Sequence, residues 1–297
     1  MLNLNKMKKI IPLFFILFVV AVTGRLKAQD ITISDSLSGW DYSWVAGLNG
    51  SQASYSNWSK GGVNSISGNA HSAITAKYRE GRFSYGALLS TRYGKSKIEG
   101  EGTRKTDDLL LIKNRFLYDL AKDESNFSLF GNVDFRTQFD KGFDYGAADD
   151  GGDVLKSKFM APGYFSENAG IAYIPNDIYS FEAGFGMKQT IVTEDSLATD
   201  YGLDEGSNFR NEAGITLGAG FEYPIVKNFI LSSSVESFTN VNRPISSTDI
   251  YFTNQLTGKI NSFMNTSLRF ELIYDDDFSE EVQMLQVLSL GVSFILI

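Results

Sequence analysis

From Ser65 to Arg79 the side chains alternate without a break. Ile66, Gly68, Ala70, Ser72, Ile74, Ala76 and Tyr78 fall on one face, and Ser67, Asn69, His71, Thr75, Lys77 and Arg79 fall on the other. A period of two marks a β-strand, and helical spacing does not fit this window. The next run repeats the pattern, with Phe83, Tyr85, Ala87, Leu89, Thr91 and Tyr93 against Arg82, Ser84, Gly86, Leu88, Ser90 and Arg92. Strands of soluble domains are usually about 5–6 residues long. Runs more than twice that length, apolar on one side and polar on the other, fit a wall with hydrocarbon outside and a polar interior.

Twelve such runs can be read: 42–54, 64–79, 82–97, 106–121, 126–140, 164–174, 178–193, 208–223, 228–240, 248–260, 263–275 and 283–297. They predict an all-β, transmembrane, antiparallel up-and-down β-barrel of about 12 strands over residues 42–297. The connections alternate in length. Residues 80–81, 122–125, 175–177, 224–227 and 261–262 form tight turns; 55–63, 98–105, 141–163, 194–207, 241–247 and 276–282 form longer loops. This is how an outer-membrane barrel is threaded, and an even count puts both termini on the short-turn, periplasmic side. Pro175 and Pro224 are read as turn residues, because proline cannot donate to a ladder. A soluble β-sandwich would also alternate. Strand length argues against it, as do aromatic residues such as Trp44, Tyr78, Phe83, Tyr118, Phe127, Tyr179 and Phe221, which fall near run ends on the apolar face where girdles meet lipid headgroups.

Lys6, Lys8 and Lys9 precede an uninterrupted apolar run from Ile10 to Val22, and a short polar stretch ends at Ala28. This reads as a signal peptide over 1–28, its apolar core too short to span a bilayer comfortably as a helix. Residues 29–41 then form a short periplasmic N-terminal segment. The leader holds five basic residues (Lys6, Lys8, Lys9, Arg25, Lys27) and no acidic one, so its removal takes the formal net charge from −8 to −13. The expected location is the outer membrane of a Gram-negative bacterium, after Sec-type export and signal-peptide cleavage. The acidic balance argues against nucleic acid as a partner. The absence of cysteine excludes disulfides, thiolate metal sites and a cysteine nucleophile.

Alternation points Lys77, Arg79, Arg82, Arg92, Lys113, Arg115 and Arg136 inward on the second to fifth runs, with Asp119, Asp134 and Asp140. On the seventh to ninth runs it points Glu182, Glu212, Glu222 and Glu236 inward, with Lys188 and Arg210. A basic wall would then face an acidic one. In an open lumen such walls orient polar solutes; in a closed one the same charges would pair and plug it. Twelve strands lie between small filled barrels and wide porins, so size does not decide. The expected function is a narrow, porin-like polar passage for a small polar solute. The alternative is a plugged structural or interaction barrel that binds a partner through its loops or N-terminal segment.

A third reading, a lipid-modifying outer-membrane hydrolase, needs a histidine base beside a serine. His71 is the sole histidine, and alternation turns it into the lumen beside Ser67, Asn69 and Thr75, so no catalytic residue is assigned. No cofactor is expected. Asp149, Asp150 and Asp153 in the longest loop are weak candidates for loop-bound Ca2+ or Mg2+, without EF-hand spacing. With the acidic run Asp275, Asp276, Asp277, Glu280 and Glu281, they read as a flexible, solvated outer face, bridged by divalent ions to lipopolysaccharide.

The last run, Ser289-x-Gly291-x-x-Phe294-x-Leu296, resembles the C-terminal signal read by the barrel-assembly machinery, and implies Gly291, Phe294 and Leu296 as its positions, with Ile297 added after them. Ser51, Ser54-Tyr55-Ser56-Asn57-Trp58-Ser59 and Gly61-Gly62 resemble the first hairpin of an uncharacterised Gram-negative outer-membrane β-barrel family. Ile273-Tyr274-Asp275-Asp276-Asp277, followed by Gln286-Val287-Leu288 and Gly291, resembles its closing hairpin. The resemblance implies a barrel and a location, and no assigned activity.

Overall fold

The computed structural model describes residues 31–54, 63–121, 126–275 and 279–295; the expected leader lies outside them. Fourteen strands are formed: β1 (Gly39–Ala53), β2 (Ser65–Glu80), β3 (Phe83–Ile98), β4 (Gly102–Asp119), β5 (Phe127–Thr137), β6 (Gly142–Asp144), β7 (Val154–Ser157), β8 (Gly163–Tyr173), β9 (Tyr179–Ile191), β10 (Phe209–Val226), β11 (Phe229–Asn240), β12 (Asp249–Lys259), β13 (Met264–Asp275) and β14 (Ser279–Ile295). Twelve of them close into one barrel in the ring order β1-β14-β13-β12-β11-β10-β9-β8-β5-β4-β3-β2, while β6 and β7 form a separate hairpin. Neighbours in the ring are antiparallel and follow one another in sequence, except at the β1–β14 closure and where the β6–β7 hairpin intervenes between β5 and β8.

Burial is inverted relative to a water-soluble domain. Phe185 is 73% exposed, Leu288 75% and Leu48 60%, whereas Lys77, Lys188, Glu212, Asp249, Arg269 and Asp275 are buried. Alternation produces this directly: successive side chains point to opposite sheet faces, and closure makes one face convex and outer, the other enclosed. Aromatic rings line the outer face near the short turns. Trp40 stacks on Tyr42 (5.4 Å between ring centroids) and lies 4.9 Å from Tyr78; Tyr85 contacts Phe116 (5.0 Å), Phe127 contacts Tyr173 (4.8 Å) and Tyr179 contacts Phe221 (5.5 Å).

Three of the strand boundaries that differ from those expected lie close to a register shift. β4 begins at Gly102 because its pairing with β3 slips between Gly94 and Lys95, leaving Thr106 out of phase. β10 runs on to Val226, with a shift between Pro224 and Val226. Pro224 is therefore a strand residue opposite Ile230, at an irregularity beside the turn. β14 begins at Ser279, and its pairing with β13 slips between Ile273 and Asp275. The expected loop 276–282 contracts to 276–278, outside the described residues, and 98–105 contracts to 99–101. Elsewhere, β1 starts at Gly39, which takes Trp40 into the wall, and β5 stops at Thr137.

The outer loops carry structure of their own. The loop 141–163 holds the β6–β7 hairpin, and Leu155 and Ala161 pack there against Val192, Leu197, Ala198, Tyr201 and Leu203 from the loop between β9 and β10. The Tyr201 hydroxyl donates to the Lys156 carbonyl at 2.8 Å. This face is a packed cap with its own apolar centre and not the flexible fringe expected.

Candidate functional site

Several ion pairs join strands that are not neighbours in the ring, which only the enclosed face allows. Arg115 on β4 pairs with Glu182 on β9. Lys188 on β9 donates to Asp249 on β12 at 2.6 Å and to Asp275 on β13 at 3.0 Å. Arg269 on β13 lies 3.9 Å from Asp107 on β4. The candidate site is this enclosed face, and its two ends differ.

Towards the long loops it is a lattice of charges. The Tyr251 hydroxyl donates to Asp275 at 3.0 Å beside Lys188. Arg92 pairs with Asp107 at 3.2 Å, and Arg269 lies 3.4 Å from Glu271. Arg210 lies 3.1 Å from Glu212, which also accepts from the Asn240 amide at 2.9 Å. A buried cation flanked by two carboxylates, or the reverse, is held by its counter-charges, and removing one partner would leave the others buried and unpaired.

Towards the short turns the filling is apolar and comes from outside the wall. Residues 31–37 fold back into the mouth, where Ile31 and Ile33 pack on Leu88, Leu117, Phe130 and Ala172, with Leu37, Ala73 and Ile174 beside them. Lys77 donates to the Thr32 carbonyl, and Arg79 pairs with Asp35 at 3.0 Å and with Asp119 at 2.7 Å. Gly86 makes room for this: a Cβ there would collide with Ile31 Cγ2. Of the stretch expected as a short periplasmic segment, residues 31–37 thus lie inside the short-turn mouth of the barrel.

Of the residues expected in the lumen, Lys77, Arg79, Arg92, Arg115, Glu182 and Glu212 make the contacts just described. Lys113 stands opposite Asp134 across β4 and β5, and Arg136 opposite Leu111. Glu222 stands opposite Ser232, and Glu236 opposite Gly218. Arg82 is a correction. Its guanidinium lies 4.6 Å from the centre of the Tyr118 ring on the outer face and donates to the Asp119 carbonyl, so it belongs to the short-turn rim. Asp140 likewise lies beyond β5 and accepts from the outward Tyr93 hydroxyl at 2.6 Å, a bond that holds its carboxyl below the usual range. The basic and acidic walls are joined by ion pairs, the arrangement expected of a closed lumen. Asp107 and Asp119 sit among the bases, and Arg115 reaches across to Glu182, so the charges are stitched together. Sequence reasoning missed Asp107, Asp249, Tyr251, Arg269 and Glu271, and assigned Asp275 to an outer acidic loop, although all of them share the inward phase of their runs.

His71 lies inside, its ring over Gly47. Ser67 is four residues away along the same strand, roughly 13 Å at strand rise, and its hydroxyl bonds Ser51 at 2.6 Å. In the outer loop, Asp150 accepts from the Gly152 amide (2.9 Å) and Asp153 from the Gly146 amide (3.1 Å); among the described residues no acidic or histidine cluster is placed to hold a metal. Also in the cap, Lys158 donates to Glu194 at 2.5 Å and keeps its carboxyl below the ordinary range, while burial pushes the Tyr201 hydroxyl up.

Gly291 sits where the barrel closes, opposite Asn49. A side chain there would collide with Asn49 Oδ1 and stand 2.5 Å from the Leu48 carbonyl, so the seam itself requires glycine. Phe294 is 53% exposed on the outer wall; Leu296 lies outside the described residues.

A family model described as protein of unknown function (DUF3078) matches residues 51–143. This stretch contains the whole first-hairpin motif, whose residues 55–62 lie outside the described structure, and not the closing hairpin. No curated protein matches the chain. Among solved structures, the chain is similar to the translocator domain of the autotransporter NalP from Neisseria meningitidis, at 12% identity over 88% of this chain and 89% of that one, with a TM-score of 0.40. It is also similar to the COG4313 outer membrane channel from Pseudomonas putida F1, at 9% identity over 91% and 99%, with a TM-score of 0.43. The KdgM porin aligns at 9% identity over 84% and 98%, with a TM-score of 0.35. Likenesses this distant carry no argument about activity; the closed barrel rests on the strand pairing itself.

Proposed function

We propose that this chain is an outer-membrane barrel that forms a narrow passage for small polar solutes, closed at rest at its short-turn mouth by residues 31–37. The observation that carries the reading is the pairing of an apolar outer wall with an interior crossed by ion pairs between distant strands. The ion pairs fit a polar interior and, by closing on one another, fit the plugged alternative as well; what favours the passage is the stopper at 31–37, because a segment that is not part of the wall can leave without breaking it. Export through a leader at 1–28, recognition of Gly291, Phe294 and Leu296 by the barrel-assembly machinery, and contact of the outer cap with lipopolysaccharide belong to the same proposal.

Planar-bilayer conductance tests it. The mature chain is expected to give rare, small openings, and Ile31→Ser with Ile33→Ser a steady current. Silence from both, with the barrel shown folded by its heat-modifiable gel migration, would overturn the passage. It would leave the second reading, an interaction barrel, which the packed outer cap favours.

A further inference from the structure

On β8 the outward side chains are Phe165, Glu167, Ala169, Ile171 and Tyr173, in phase with the outer wall. Glu167 stands opposite Val133 on β5 and Met187 on β9, which are 43% and 44% exposed on that wall. Its side chain is partly exposed and borders the wall's surface, while its Oε2 is turned into the protein and has no hydrogen-bond partner among the described residues. An ionisable residue set among apolar neighbours on the outward face of a membrane-spanning strand is unfavourable for the barrel alone and marks a site.

Glu167 borders a recess of about 640 Å³ in the outer wall, lined by Phe116, Gly131, Ala169, Phe185 and Ala213 among others. This is within the range of about 300–1,000 Å³ for small-molecule sites. The register explains its shape. Phe116, Gly131, Ala169 and Phe185 stand side by side across β4, β5, β8 and β9, so two small residues form a trough between two phenyl rings roughly 14 Å apart at three strand spacings. In the next row Glu167 lies between Val133 and Met187. Along β8 it is two residues, roughly 7 Å, from Phe165, whose ring packs on Phe135 at 4.6 Å on the long-loop side. The trough is apolar and runs along the strands; its unmatched group is an acceptor near the end facing the headgroups.

We propose that this recess binds a membrane amphiphile, with one hydrocarbon chain in the trough and an N–H or O–H group at its polar end donating to Glu167. The inference rests on the proposed function only in that this wall faces hydrocarbon. A second barrel is a poor occupant, because its wall is as convex as this one and would bridge the rims without reaching the floor.

The test uses the full mature chain in lipid nanodiscs and two probes of equal chain length, N-dodecylacetamide, which has an N–H, and dodecyl acetate, which has none. Retention is read by native mass spectrometry. The amide is expected to be held at least tenfold better than the ester. Glu167→Gln, which keeps an acceptor, retains that preference, and Glu167→Leu lowers the amide to the level of the ester. Gly131→Leu fills the trough and removes both; a Cβ at Gly131 meets nothing nearer than the Asn168 carbonyl at 4.0 Å, so the wall tolerates the change. Equal retention of the two probes, or full preference in Glu167→Leu, would overturn the proposal, as would a dimer that Glu167→Leu dissociates. Protease protection in vesicles reports separately whether the wall is in the membrane at all.

Discussion

Near the short turns the interior is filled by Ile31 and Ile33 against Leu88, Leu117 and Phe130; near the long loops it is crossed by Lys188, Asp249, Asp275, Arg92, Asp107 and Arg269. The first filling is a short segment outside the wall, held mainly by apolar contact. The second consists of wall residues themselves, anchored on β3, β4, β9, β12 and β13. Apolar contact is non-directional and lets a segment leave and return. A buried charge lattice is held by geometry, and each member depends on the others. On the proposed reading the ends do different work: one opens, and the other fixes the cross-section.

The sharpest way to break this comparison is Lys188→Met, which leaves Asp249 and Asp275 buried without their cation. A loss of about 3–5 kcal/mol is expected, read as a lower midpoint of denaturant unfolding in detergent; an unmoved midpoint would mean the lattice does not hold the wall. At the other end, Ile33→Ala is expected to weaken docking of 31–37 by about 2–5 kcal/mol, seen as faster hydrogen exchange in that segment while the wall strands keep theirs. Reversing the central pair, Arg115→Glu with Glu182→Arg, should recover part of what either single change loses, with a coupling of about 0.5–3 kcal/mol in a double-mutant cycle. The smallest effect concerns the cap. The Glu194 carboxyl is held below its ordinary range by Lys158, so its contribution is present above the ordinary glutamate range and is lost as pH falls through the lowered value. Protease cleavage within 192–207 should therefore increase modestly in acid, and Lys158→Met should cancel that response.

Much of the barrel was legible because a single physical rule, side chains alternating between two solvents, acts on every residue of every strand. The rule fails where an extra residue flips the phase. Thr106, the Pro224–Val226 step and the start of β14 are such places, and a bulge leaves no mark on the residues around it. Arg269 and Glu271 were within reach, sharing a face of their run with Ser267; Asp275 was hidden by the acidic residues that follow it in sequence. The partners of the inward charges were not legible, since which strands face each other across a lumen depends on closure and tilt, not on any local window. The stopper was equally hidden: Ile31 and Ile33 alternate with Thr32 and Ser34, a pattern too short to say on which side of the wall it lies. Glu167 is the converse case, a lone acid in the outward phase of its run, visible to the same rule once the phase is set.

The barrel is completed along a seam of five residue pairs, Val45 to Asn49 against Gly291 to Ile295, whereas β1 meets β2 through fifteen. Every other interface joins strands nearer to each other in sequence, so this one is the last that a growing chain can form. Until its final residues arrive, the edge of β1 is open to any passing strand, and the protein is a curled sheet with a slit. Removing residues 291–295 would take away every described partner of β1 on this side, at a cost to β13 of only the pairs that Gly291 and Val292 make with Asn265 and Met264, and would leave the cylinder unzipped.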